Sequence, residues 1–107
     1  MTPKQAVQAL RKAALALPGV EEGVACAGTA LECATFKIRR KAFLFVNENN
    51  ARLRLVASRA EAAALAKKEP RRYVIGPQGW AKLLLAEPPP LALMLRWLDE
   101  SYHAVKK

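Results

Sequence analysis

The stretch Thr35–Val56, TFKIRRKAFLFVNENNARLRLV, decides the fold, because its apolar and polar residues alternate as strands with one buried face require. Three strands divide it. From Thr35 to Arg39, Phe36 and Ile38 lie on one side and Lys37 and Arg39 on the other. From Lys41 to Asn47, Phe43 and Phe45 share one face while Ala42, Leu44 and Val46 share the opposite one. From Arg52 to Ala57, Leu53, Leu55 and Ala57 point inward if Arg52 and Arg54 point outward. Arg39-Arg40-Lys41 forms the first turn. Asn47-Glu48-Asn49-Asn50 forms the second, since asparagine accepts left-handed geometry and bonds locally. The result is a sheet with one greasy face and a locally basic one.

The flanks supply helices. Thr2 caps a first helix with Pro3 at its first position and Gln5 placed to complete a capping box. Val7, Leu10, Ala14 and Leu17 make its buried stripe, and Pro18-Gly19 ends it. Val20–Gly23 reads as a turn carrying Glu21 and Glu22. Ala25–Cys33 is either a flexible loop or, through Leu31 and Cys33, a backward extension of the first strand. Beyond the meander, Ser58-Arg59-Ala60-Glu61 has capping-box spacing and opens a short helix through Ala66, with Lys67-Lys68 at its end and Pro70 stopping it.

Tyr73-Val74-Ile75 is a compact strand. Gly76-Pro77-Gln78-Gly79 turns the chain into a last strand, Trp80–Leu85, with Trp80, Lys82 and Leu84 on one parity and Ala81, Leu83 and Leu85 on the other. Trp80 is read as sealing the core beside the turn. After Pro88-Pro89-Pro90, Leu91, Met94, Leu95, Leu98, Tyr102 and Val105 trace one stripe of a final helix, while Arg96, Asp99 and Glu100 take wetter positions. Trp97 lies beside that stripe, either covering the first helix or forming a small oligomer contact, so the chain is expected to be a monomer or a weak homodimer.

A length of 107 residues fits one domain, residues 1–107, with room for a single sheet and its helices. Eighteen Lys and Arg against nine Asp and Glu give a formal charge of +9, which favours anionic partners. Met1 opens no signal peptide and no stretch is apolar enough to span a bilayer, so a cytoplasmic location is the default. Cys26 and Cys33 do not form a C-x-x-C pair and are read as free thiols. Gly28 belongs to no phosphate-binding fingerprint. His103 is the only histidine, without metal-ligand spacing around it, and Glu21 and Glu22 lack a partner for acid–base work. No catalytic residue, metal or cofactor is therefore expected.

Several features together resemble the MmcQ/YjbR family. They are Leu17-Pro18-Gly19-Val20-Glu21-Glu22-Gly23 after the first helix, Thr35-Phe36-Lys37-Ile38, Lys41-Ala42-Phe43, Arg52-Leu53-Arg54-Leu55, Gly79-Trp80 and Ser101-Tyr102. The resemblance implies an α+β, CyaY-like domain: a central antiparallel sheet of about five strands with amino-terminal, short middle and carboxy-terminal helices. It also implies a possible double-wing mode of DNA binding, without an established biochemical activity or a catalytic residue. Two departures stand out. Arg40 occupies a position where relatives often carry glycine, and Val56-Ala57-Ser58 replaces a lysine followed by a proline-containing helix entry.

The functional expectation is a non-enzymatic DNA-binding protein that contacts phosphates through Lys37, Arg39, Arg40, Lys41, Arg52 and Arg54, assisted by Lys67, Lys68, Arg71 and Arg72. Phe36, Phe43 and Phe45 are read as core, which leaves no aromatic platform for base stacking. The alternative is a protein-interaction module whose basic rim meets an acidic partner.

Overall fold

The meander forms, and it sits inside a wider antiparallel sheet. The computed structural model describes residues 2–25, 28–29, 32–47, 50–85 and 89–106. Helix α1 (Pro3–Leu15) leads into β1 (Glu21–Ala25), β2 (Cys33–Ile38), β3 (Lys41–Val46) and β4 (Asn50–Arg54). Helix α2 (Arg59–Lys68), β5 (Tyr73–Ile75), a 3-10 turn (Pro77–Gly79), β6 (Trp80–Leu84) and helix α3 (Leu91–Lys106) follow. The strands are ordered β1-β2-β3-β4-β6-β5, each antiparallel to its neighbours. Strands β4 and β5 both oppose β6 between them, so they run parallel and require a crossover, which α2 supplies.

Six strands stand where about five are expected. The addition is β1, read from sequence as the turn Val20–Gly23. Its residues are exposed or half-buried and show no apolar alternation, so only pairing with β2, Glu21 opposite Lys37 through Ala25 opposite Cys33, makes it a strand. Such an edge strand is specified by its neighbour and not by its own pattern. The expectations placed on Cys26, Leu31, Glu48, Asn49 and Pro88 lie outside the described residues.

The alternation of β3 is broken in one place, with a large consequence. Phe36 pairs with Leu44, but Lys37 pairs with Ala42, so Phe43 is an extra residue at a β-bulge. The bulge lets the consecutive Phe43 and Leu44 both enter the helix-facing core, each 0 % exposed. Phe45 then faces away from Phe43, contrary to the strict alternation. The bulged carbonyl does not stay empty: Ser101 of α3 donates its hydroxyl to Phe43 O and accepts the amide of Arg54 at 2.9 Å, bridging β3 and β4 where their ladder opens.

The core lies between this sheet face and the helices. Leu10 and Ala14 of α1, Phe36, Leu53, Leu55, Leu83, Met94, Leu98 and Val105 are buried in it. The capping box at Thr2 forms in both directions, with Thr2 N donating to Gln5 Oε1 and Gln5 N to Thr2 Oγ1. The box at Ser58 does not form. Ser58 donates instead to Glu100 at 2.6 Å, and Glu61 accepts from Arg96 and from the Trp97 indole. Both residues are used to tie the α2 region to α3.

Trp97 is therefore not a surface contact, and its partners lie in α2 and β5. It is fully buried, edge-on to Tyr73. Glu100 is likewise not a solvated position, since it also accepts the amides of Val56 and Ser58. Burial raises its carboxyl, but the Ser58 hydroxyl and these two amides outweigh that and hold it below its ordinary value. Glu61 is lowered too, by the Trp97 indole first and by Arg96 second.

Candidate functional site

All three helices belong to one side of the sheet: α3 packs on β2, β3 and β4, and both α1 and α2 contact α3 or the adjoining edge. Among the described residues the opposite face carries no helix. Cross-strand pairing sets two rows there. Thr35, Phe45, Arg52, Lys82 and Val74 form one row across β2, β3, β4, β6 and β5, and Arg54 stands opposite Trp80 in the next.

This face is both aromatic and basic. The Phe45 and Trp80 rings lie 5.5 Å apart between centroids and are tilted 56° to one another. The Arg52 guanidinium rests over the Phe45 ring, 4.7 Å from its centroid, with one nitrogen 3.9 Å from the buried Cys33 sulfur. A hollow of about 480 Å³ opens beside them, lined by Phe45, Arg52, Val74, Pro77, Trp80 and Lys82. That is within the usual size of ligand sites. Next to it, Thr35 is 2 % exposed and its hydroxyl has no hydrogen-bond partner among the described residues.

The turn that delivers Trp80 is fixed by backbone contacts. Gly79 adopts a φ of +85°, and its carbonyl accepts the Leu55 amide at 2.8 Å. Arg59 closes the corner by donating to Leu55 O at 2.9 Å. Gly76 N donates to Trp80 O at 2.7 Å, which holds the far side of the turn against the start of β6.

The ten expected contact residues do not make one surface. Arg52 and Arg54 lie on the open face, and so does Lys37, but Lys37 stands opposite Glu21 across the β1–β2 pair. Arg40 and Lys41 are exposed at the β2–β3 turn, at the end of the sheet that Arg54 and Trp80 also occupy. Arg39 turns away from Lys37: with a φ of +52° it leaves the strand, and its guanidinium donates to the Lys106 carbonyl at the end of α3. Lys67 and Lys68 end α2, and Arg71 and Arg72 lie between it and β5, at the other end of the sheet and beyond its opposite edge, where Arg72 approaches Glu69.

Three residues of the face escaped the sequence. Trp80 is half-buried on the open side and does not seal the core. Alternation alone puts Phe45 in the core, because a bulge leaves no mark in the sequence pattern. Lys82 alone had a usable signal: it shares parity with Trp80, and β4–β6 pairing then places it beside Arg52.

An α+β domain with helices on one face of a six-stranded antiparallel sheet, and none among the described residues on the other, is the class these features define. The YjbR family model matches residues 15–104, and the chain belongs to that family. The fold is similar to that of the Deinococcus radiodurans protein DR2400, described as having a DUF419 domain, with a TM-score of 0.76 at 21 % identity over 99 % of this chain and 82 % of the other. No curated protein matches the sequence.

Proposed function

We propose that the protein is a non-enzymatic nucleic-acid-binding module, with Arg52, Arg54 and Lys82 of the open face and Arg40 and Lys41 of the adjoining turn contacting DNA phosphates. The observation that carries this reading is the grouping of Arg52, Arg54 and Lys82 on the one sheet face without a helix, in a chain of net charge +9. Phosphate contacts of this kind position a protein without reading base sequence. Among the described residues no group of three or more His, Cys, Asp or Glu is arranged to hold a metal, and no helix is long and apolar enough to cross a membrane.

The test is fluorescence anisotropy with a labelled duplex at several salt concentrations. Neutralising about five phosphates gives a slope near −4.5 for the logarithm of affinity against the logarithm of salt. A flat salt dependence, or no binding at low salt, refutes the reading.

A further inference from the structure

We infer that the hollow beside Phe45 and Trp80 receives an unstacked nucleobase, so that this face prefers single-stranded nucleic acid to duplex. The inference rests on the nucleic-acid reading above and adds the form of the ligand. In a duplex the base faces are stacked on one another, and an aromatic hollow gains nothing from them. In a single strand they are free to leave the stack and lie on aromatic or guanidinium planes.

The geometry supplies what that requires. Phe45 and Trp80 touch each other, with centroids 5.5 Å apart, and together with Val74 and Pro77 they form the apolar lining of the hollow beside them. The Arg52 guanidinium covers the Phe45 ring, 4.7 Å from its centroid. The indole of Trp80 is thus the stacking surface, and Arg52 and Lys82, direct cross-strand partners, stand at its side for the flanking phosphates. A run of aspartate and glutamate would use the two cations but brings no aromatic face to the hollow. That difference favours a nucleic acid over an acidic protein.

The protein carries its own reporter. Of its two tryptophans, Trp97 is fully buried and Trp80 lines the hollow, so quenching of indole fluorescence by an added oligonucleotide reports Trp80. We expect oligodeoxythymidine to quench the unaltered protein and to bind more tightly than a duplex with the same number of phosphates. Trp80→Ala should weaken single-strand binding about 5- to 150-fold, the worth of one base–aromatic stack, and leave duplex binding unchanged. Trp80→Phe, which keeps a ring, should restore part of the loss.

Equal affinity for the two forms without quenching overturns the base pocket while leaving phosphate binding intact. Absence of binding to either form at low salt overturns both. Saturable quenching by polyglutamate at the same concentrations assigns the hollow to an acidic protein partner and also overturns the inference. Should Trp80→Ala fail to fold, the unaltered protein decides the matter: quenching by oligodeoxythymidine together with tighter binding of it than of the duplex is expected, and absence of either refutes the base pocket.

Discussion

Gly79→Ala is the perturbation whose cost can be worked most directly from the structure. At a φ of +85° an L-residue bears a left-handed penalty of about 1–2 kcal/mol. A β-carbon there would also stand 2.3 Å from the Leu55 carbonyl oxygen and 2.7 Å from Arg59 Nε. The oxygen is backbone and cannot swing aside as a side chain would. Relieving the overlap disturbs the Leu55 N–Gly79 O bond of 2.8 Å and the Arg59–Leu55 O bond of 2.9 Å, each worth about 1 kcal/mol. The variant should lose about 3–4 kcal/mol in urea unfolding, and its melting temperature should fall by roughly 10–30 °C. Gly23→Ala is the control, because its β-carbon meets nothing within 4 Å, and it should be neutral or slightly stabilising. A loss below about 1 kcal/mol for Gly79→Ala would refute the close-approach argument.

Ser101→Ala leaves the Phe43 carbonyl and the Arg54 amide without their bridge, and urea unfolding should record a loss of about 2–4 kcal/mol. Arg40 holds a φ of +67°, so Arg40→Gly should raise stability by about 1 kcal/mol in the same assay. Glu61 and Glu100 have carboxyls held below the ordinary 4.5 in the folded protein, so their stabilisation is fully present above that pH and is lost as pH falls through the lower folded values. The urea midpoint should accordingly drop below pH 4.5, and Glu100→Gln, which is less stable at neutral pH, should show a smaller acid-induced drop.

The parts of the fold legible in the sequence are those whose pattern is local. Tyr73–Ile75 and the parity of Trp80–Leu84 follow from short alternation, and α1 from Thr2, Pro3 and Gln5. What escaped depends on partners distant in the chain. Glu21–Ala25 becomes a strand only against β2, and Glu61 and Ser58 forgo a local cap because Trp97 and Glu100 offer better-placed groups. The same holds for the site. Alternation alone places Arg52 and Arg54 outward. Phe45 joined them through the bulge at Phe43, and Trp80 and Lys82 through a β4–β6 pairing that skips α2 and β5.

The central claim, that the bare sheet face and not the total charge binds nucleic acid, is tested most directly by comparing two charge-matched variants. Arg52→Ala with Lys82→Ala removes two cations from the open face, and Lys68→Ala with Arg71→Ala removes two from the far corner. The account predicts that the first pair weakens oligonucleotide binding and flattens the duplex salt slope by about 1.8, while the second leaves the slope unchanged. Equal losses from the two pairs would contradict it.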